Sequence, residues 1–179
     1  RYAVVLANPP YITVKDPELR ARYRRLYPDS TAGKYALSAP FLERCFELAR
    51  AGGFVGQITA NSFTRRRFGK PLIERVLNRV DLRRVVNAEG AYIPGHGTPT
   101  ILLFGRNQPP ASASVHAILA RRGEPSVPRD PARGHVWTSI AARGDELGYE
   151  DDFITVEALP RAALARHPWS LRGGCARAL

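Results

Sequence analysis

Residues 4–12 read VVLANPPYI, an apolar run that stops at Asn8-Pro9-Pro10-Tyr11. A short, almost wholly apolar run predicts a fully buried strand of a parallel sheet, here Tyr2–Ala7. Proline fixes φ and lacks a backbone donor, so two successive prolines end the strand and stiffen the chain that follows. The tetrapeptide is therefore either a simple turn or a rigid polar group placed at a strand end.

The rest of the apolar pattern predicts an α/β fold. Further strands are expected at 54–60, 82–87 and 100–105. Apolar residues recur at helical spacing over 35–51 and 70–79, with Pro40 in a first turn and Ser38 as a possible cap. Strands alternating with helices predict a doubly wound, Rossmann-like sheet. Since no helix separates the last two strands, the fourth should pair antiparallel at the sheet's edge.

Residues 1–107 and 108–179 are predicted to be separate regions. NQPPASAS at 107–114 resembles a linker, and the segment beyond it predicts weaker elements near 115–120, 135–142 and 153–158. The region 12–34 is polar and broken by prolines, which predicts a long loop with one short helix near 17–26. The sequence contains no Met and opens on Arg1 directly before a strand, so we expect a piece of a longer protein.

The formal net charge of +11 favours a polyanionic partner such as nucleic acid. Lysine occurs only at Lys15, Lys34 and Lys70, so a coding bias towards arginine is an alternative source of part of the signal. No apolar run approaches the ~20 residues of a membrane span, and no signal peptide pattern is present. Cys45 and Cys175 have no metal-ligand spacing and are interpreted as reduced thiols without a role.

The chemistry of Asn8–Tyr11 suits alkylation of an amino group. In open α/β sheets, ligands bind at the carboxyl ends of strands, where this tetrapeptide lies. The Asn8 side-chain oxygen and the Pro9 carbonyl would form two fixed acceptors for the two hydrogens of an exocyclic amine. Hydrogen bonds from both N–H groups to these acceptors leave electron density on the amine nitrogen. Tyr11 offers a flat face on which an aromatic base can stack.

Other residues are weaker candidates for binding the substrate. Thr64–Lys70 (TRRRFGK) begins at a strand end and could contact phosphates or could be a solvated surface. His96 lies between two glycines and has no metal-ligand partners by spacing, so its loop is expected to shape the base pocket. The candidates for substrate or DNA binding are Lys34, Arg65, Arg66, Arg67, Lys70, Tyr92 and His96, with no metal site.

Asn8-Pro9-Pro10-Tyr11 resembles the N-P-P-Y motif of S-adenosylmethionine-dependent N6-adenine DNA methyltransferases. GKYALSAPFLERCFELARAGGFVGQITANSF resembles the helix and strand that follow the motif in type IIG and BREX-associated enzymes. GAYIPGHGTPTILLFGRN, with ITVKDP, RGEPSVPRDP and HPWSL, is similar to the PglX subgroup of type 2 BREX phage-defence systems. The similarity is strongest over residues 2–107.

The resemblance implies a cytoplasmic site-specific adenine DNA methyltransferase of a phage-defence or restriction-modification system. Asn8, Pro9, Pro10 and Tyr11 would be catalytic, acting on an adenine flipped out of double-stranded DNA. S-adenosyl-L-methionine would be the methyl donor, and other proteins of the defence system possible partners. The family's glycine-rich cofactor loop is missing from this sequence, so we expect only the catalytic half of the domain, inactive by itself.

Two alternatives stay open at this point. Protein-glutamine and RNA-guanine methyltransferases use the same motif on an amide or amine. A DNA-binding remnant without chemistry would also account for the positive charge.

Overall fold

The computed structural model describes residues 1–174, and a single six-stranded sheet organises them. The strand order across the sheet is β1-β2-β4-β3-β5-β6. The strands are β1 (Tyr2–Ala7), β2 (Ala49–Ala60), β3 (Asp81–Asn87), β4 (Thr100–Arg106), β5 (Ser114–Ala120) and β6 (Ile154–Pro160). Every strand expected from the apolar pattern is therefore present.

Helices and short helical turns connect the strands. They are α1 (Pro17–Leu26), α2 (Ser38–Leu48), α3 (Gly69–Pro71), α4 (His135–Arg143) and α5 (Arg161–Leu164). A 3-10 turn occupies Asn61–Thr64, and π-helical turns at Leu72–Leu77 continue α3. The predicted helix at 70–79 is thus present, but it ends at Leu77 and is mostly π-helical. No helix in the described part of the chain is long and apolar enough to cross a membrane.

The main core lies between α2, the α3 segment and one face of the sheet. Leu42 and Phe46 of α2 pack with Ile73 and with Val85 of β3. The helix begins differently from the prediction, because Leu37 is its N-cap residue and Ser38 is already helical and buried. The Ser38 carbonyl instead accepts a hydrogen bond from Gln57 Nε2 at 3.1 Å.

The predicted edge position of β4 is wrong, although its antiparallel direction is confirmed. β4 pairs antiparallel with both β2 and β3 and so lies inside the sheet. Ile101 and Leu103 are fully buried, as an interior strand requires. β2 and β3 are not neighbours in the sheet. β4, which follows the loop at 88–99, lies between them.

The predicted burial of β1 is also wrong. β1 pairs only with β2, and Tyr2, Val4 and Leu6 expose 62%, 53% and 75% of their surface. The cause is the position of β1 at the edge of the sheet, where no other described element covers these side chains. Phe54 and Phe104 on neighbouring strands extend the same exposed apolar surface.

The sheet crosses the predicted boundary between residues 107 and 108. β5 pairs parallel with β3, and β6 pairs antiparallel with β5. The boundary stays a prediction, and Cys175 lies outside the described residues.

Asp81 joins the two predicted regions from the buried start of β3. Its carboxylate accepts hydrogen bonds from Arg83 (2.7 Å), Gln108 (3.1 Å), Ala111 (3.2 Å) and Arg161 (3.1 Å). Burial alone would raise the pKa of Asp81, but these hydrogen bonds and the two guanidinium charges outweigh it, so the pKa lies below its usual range.

Candidate active site

Asn8 and Tyr11 are in direct contact at the carboxyl end of β1. The Tyr11 hydroxyl donates to Asn8 Oδ1 at 3.0 Å. Asn8 is exposed, Pro9 is buried and Tyr11 is half-buried. An amide oxygen has two lone pairs, so this bond orients the Asn8 side chain and leaves one acceptor position free.

The Pro9 carbonyl is the second acceptor expected at this strand end. Among the described residues no backbone donor is bonded to it. Its peptide unit is stiff because both Pro9 and Pro10 have a restricted φ. Two acceptor positions are thus available within adjacent residues.

Burial raises the pKa of the Tyr11 hydroxyl above its ordinary value of 10.0. The hydroxyl is therefore protonated at neutral pH and remains a donor to Asn8. The ring is held by this bond at its polar end.

His96 packs against the ring of Tyr11. The two ring centroids are 5.0 Å apart and the planes meet at 85°, an edge-to-face contact. The backbone N–H of Thr98 donates to His96 Nδ1 at 3.2 Å, so a neutral His96 carries its proton on Nε2. The structure thus brings His96 to the N-P-P-Y tetrapeptide, from a loop some eighty-five positions later in the chain.

Tyr92 lies on the same loop and lines a cavity of about 310 Å³ together with His96. Its backbone carbonyl accepts a hydrogen bond from Trp137 Nε1 at 2.9 Å. The α4 helix therefore anchors the loop that holds His96.

The predicted cations separate into two groups. Lys34, Arg66, Arg67 and Lys70 line one cleft. Arg65 lies instead 3.6 Å from the carboxylate of Glu89, with which Arg172 also pairs at 3.8 Å. The structure does not bring Arg65 to the cleft.

Sequence reasoning missed several polar residues near the strand ends. Glu89 follows β3 and accepts from Asn61, which follows β2, at 3.5 Å. A polar residue within two positions of the end of a buried strand is a signal that could have identified both. Arg172 and His167 come from the distant end of the described chain, and no local pattern predicts that they approach this region.

Two glycine pairs of the described residues lie at different places in the fold. The glycine pair at Gly52-Gly53 lies near the amino end of β2, away from Asn8. The glycines at 95 and 97 belong to the loop that contacts Tyr11. No glycine-rich turn therefore follows a strand beside β1 within residues 1–174.

Comparison with solved structures shows the fold class. The type IIG restriction endonuclease BpuSI is similar over 93% of this chain and 20% of its own, with 15% identity and a TM-score of 0.63. A Listeria monocytogenes protein described as a class I S-adenosylmethionine-dependent methyltransferase is similar over 80% of this chain and 42% of its own, with 13% identity and a TM-score of 0.54. The described residues share the Rossmann-like fold of these proteins, which confirms the predicted fold class.

Sequence comparison then shows the family. Residues 1–93 match the Eco57I restriction-modification methylase model, and the chain belongs to this family. The adenine-specific methyltransferase PglX of Streptomyces coelicolor is 46% identical over 97% of this chain. The matched region is 15% of the length of that protein. The resemblance to PglX-type adenine methyltransferases is confirmed.

Proposed function

We propose that the full-length protein is a site-specific adenine DNA methyltransferase of a phage-defence or restriction-modification system. It would transfer a methyl group from S-adenosylmethionine to N6 of an adenine flipped out of double-stranded DNA, with S-adenosylhomocysteine as the leaving group and one N6 proton released to solvent. The observation that carries the proposal is the contact between Tyr11 and Asn8, which places a flat ring beside an oriented acceptor. Other proteins of the defence system are proposed as partners.

Asn8 and Pro9 would bind the target amino group. The free lone pair of Asn8 Oδ1 and the Pro9 carbonyl would each accept a hydrogen bond from one N6–H. These two hydrogen bonds keep electron density on N6 and favour its nucleophilic form. The stiff Pro9-Pro10 backbone fixes the second acceptor before the base arrives, so little ordering is needed during the reaction.

Tyr11 would position the base. Its ring would stack on the base, an interaction worth ~1–3 kcal/mol per base, and the edge-to-face contact with His96 would hold the ring in place. We propose Tyr92 and His96 as residues that shape the base pocket. S-adenosylmethionine, when bound, supplies an electrophilic methyl group, and its binding residues are proposed to lie mainly outside these 179 residues.

The test is methylation by the full-length gene product. The protein is incubated with labelled S-adenosylmethionine and duplex DNA, with the system's partner proteins supplied, and the DNA is digested to nucleosides. We expect label in N6-methyladenine. Asn8→Ala removes the side-chain acceptor and should abolish the label, while Asn8→Asp keeps an oxygen at the same position and should retain part of it.

Each outcome has a distinct meaning. Label in DNA that Asn8→Ala leaves unchanged would exclude the acceptor role. Absence of label in DNA, with label in RNA or in protein glutamine, would replace adenine by one of the other amine or amide substrates.

A further inference from the structure

A basic cleft of about 830 Å³ is lined by residues that follow β1 and β2 in the chain. One wall is the end of the loop at 28–34, and the other is the segment at 66–75, where the backbone N–H of His167 donates to Glu74 at 3.3 Å. Five cationic side chains line it, against the single carboxylate of Glu74: Lys34, Arg66, Arg67, Lys70 and Arg75.

Most of this positive charge is not neutralised within the molecule. Glu74 lies 3.9 Å from Lys70, and Arg75 lies 3.8 Å from Asp29. Both of these cations are more than half exposed, so the pairs are weak. Three cleft cations have no carboxylate within 4.0 Å among residues 1–174: Lys34, Arg66 and Arg67.

Both walls are close in the chain to the strand ends at which the candidate active site lies. Arg66 and Arg67 follow the 3-10 turn Asn61–Thr64 at the carboxyl end of β2, the strand that pairs with β1. The other wall ends beside Ala36, which bridges to Thr13, two residues after Tyr11. Both walls of the cleft therefore follow the carboxyl ends of strands, the end of the sheet at which Asn8 also lies.

The composition of the cleft suits phosphates better than bases. Phe68 is the only aromatic side chain other than His167 in its described lining, and it packs against the core. Pro28 and Pro71 stiffen the two walls. A rigid, open, cationic groove without a free stacking face binds a nucleic-acid backbone through its charge.

We infer that the basic cleft binds successive phosphates of the DNA strand that carries the target base. The inference rests on the proposed function, whose substrate it locates on the surface. Arg66 and Arg67 contact the phosphates from one wall and Lys34 from the other. These contacts hold the strand in register while the base enters the pocket beside Tyr11.

The test measures DNA binding by the full-length protein as a function of salt. The variant is Arg66→Gln with Arg67→Gln, and the matched control is Arg44→Gln with Arg50→Gln, which removes the same charge. Arg44 is on the outside of α2, and Arg50 is near the amino end of β2, at the opposite end from the cleft. Binding is measured by anisotropy of a labelled duplex without methyl donor.

We expect the cleft variant to bind at least about 10-fold more weakly at low salt, as the loss of charged hydrogen bonds implies. Each phosphate contact contributes about 0.9 to the slope of log K against log salt, so the slope should fall by about 1.8. The control should keep the wild-type slope. Lys34→Gln, on the opposite wall, should lower the slope by about half as much.

The outcomes separate the cleft from the chemistry. Unchanged affinity and slope in a folded cleft variant, or an equal loss in the control, would overturn the inference even if the wild type methylates adenine. Loss of binding confined to the cleft variants, in a protein that forms no N6-methyladenine, would sustain phosphate binding by the cleft and would count against the proposed function alone. If the double variant unfolds, the Lys34→Gln result decides between these outcomes.

Discussion

Replacement of Tyr11 separates the two roles that the geometry gives this residue. Tyr11→Phe removes the hydroxyl that bonds Asn8 Oδ1 at 3.0 Å and keeps the ring. A hydrogen bond of this kind contributes about 0.5–1.5 kcal/mol net. At 1.4 kcal/mol per factor of ten, methylation by the full-length protein should slow by about 2- to 12-fold.

Tyr11→Ala also removes the stacking face. Stacking of one base contributes about 1–3 kcal/mol, so a further loss of about 5- to 140-fold is expected. It also removes the edge-to-face contact with His96, which leaves that ring without its partner. The alanine variant should therefore be much slower than the phenylalanine variant.

The assay is single-turnover methylation of duplex DNA at saturating enzyme. The matched control is Tyr149→Phe, which removes a tyrosine hydroxyl that bonds Asp151 at 3.2 Å near α4, and should leave the rate unchanged. Because burial raises the pKa of Tyr11, its hydroxyl stays protonated and the Tyr11→Phe effect should be constant between about pH 6 and pH 9. Equal rates for the phenylalanine and alanine variants would refute the stacking role of the ring.

Two further predictions concern stability. Gly69→Ala would place a Cβ 1.8 Å from the Phe63 carbonyl oxygen, so we expect a loss of at least about 1–3 kcal/mol in urea unfolding. Gly97→Ala meets nothing within 4 Å and is the control that should unfold like the wild type. The lowered pKa of Asp81 stabilises the fold above the unfolded carboxyl pKa near ~3.9, and this stabilisation is lost as pH falls through the lower folded pKa. Asp81→Asn should therefore cost about 3 kcal/mol near neutral pH, with a difference from wild type that shrinks in acid; a difference independent of pH would contradict the ionic role.

The sequence predicts the strands well because each is a short apolar run between strong breaks. Gly52-Gly53 and Pro9-Pro10 are such breaks, although the first pair lies inside β2 rather than before it. Gly52 adopts a φ of 69° inside β2, where the pairing with β1 shifts register between Ala49 and Phe54. Local sequence features therefore predict where each strand lies better than they predict the residues at which it begins and ends.

The order of the strands in the sheet could not be predicted from local sequence features. The apolar runs of β1 and β4 look alike in sequence, yet β4 is interior and β1 exposes Leu6. Only the pairing partners distinguish them, and pairing is a long-range property. The same limit applies to Arg65 and Arg66, which are adjacent in sequence but face Glu89 and the basic cleft respectively.

Residues after position 107 hold the loop that contains His96 in place. The linker-like sequence at 107–114 gives no sign of this role. Gly90 approaches Gly123 so closely that a Cβ on Gly90 would lie 2.5 Å from the Gly123 Cα. The next residue, Glu124, donates its N–H to the Gly90 carbonyl at 3.0 Å and accepts the first N–H groups of α4 on its carboxylate. Trp137 on that helix then binds the Tyr92 carbonyl. The loop that contains His96 is therefore held at two points, by the β5–α4 connection at Gly90 and by α4 at Tyr92. The geometry of the N-P-P-Y site thus depends on both halves of the described chain.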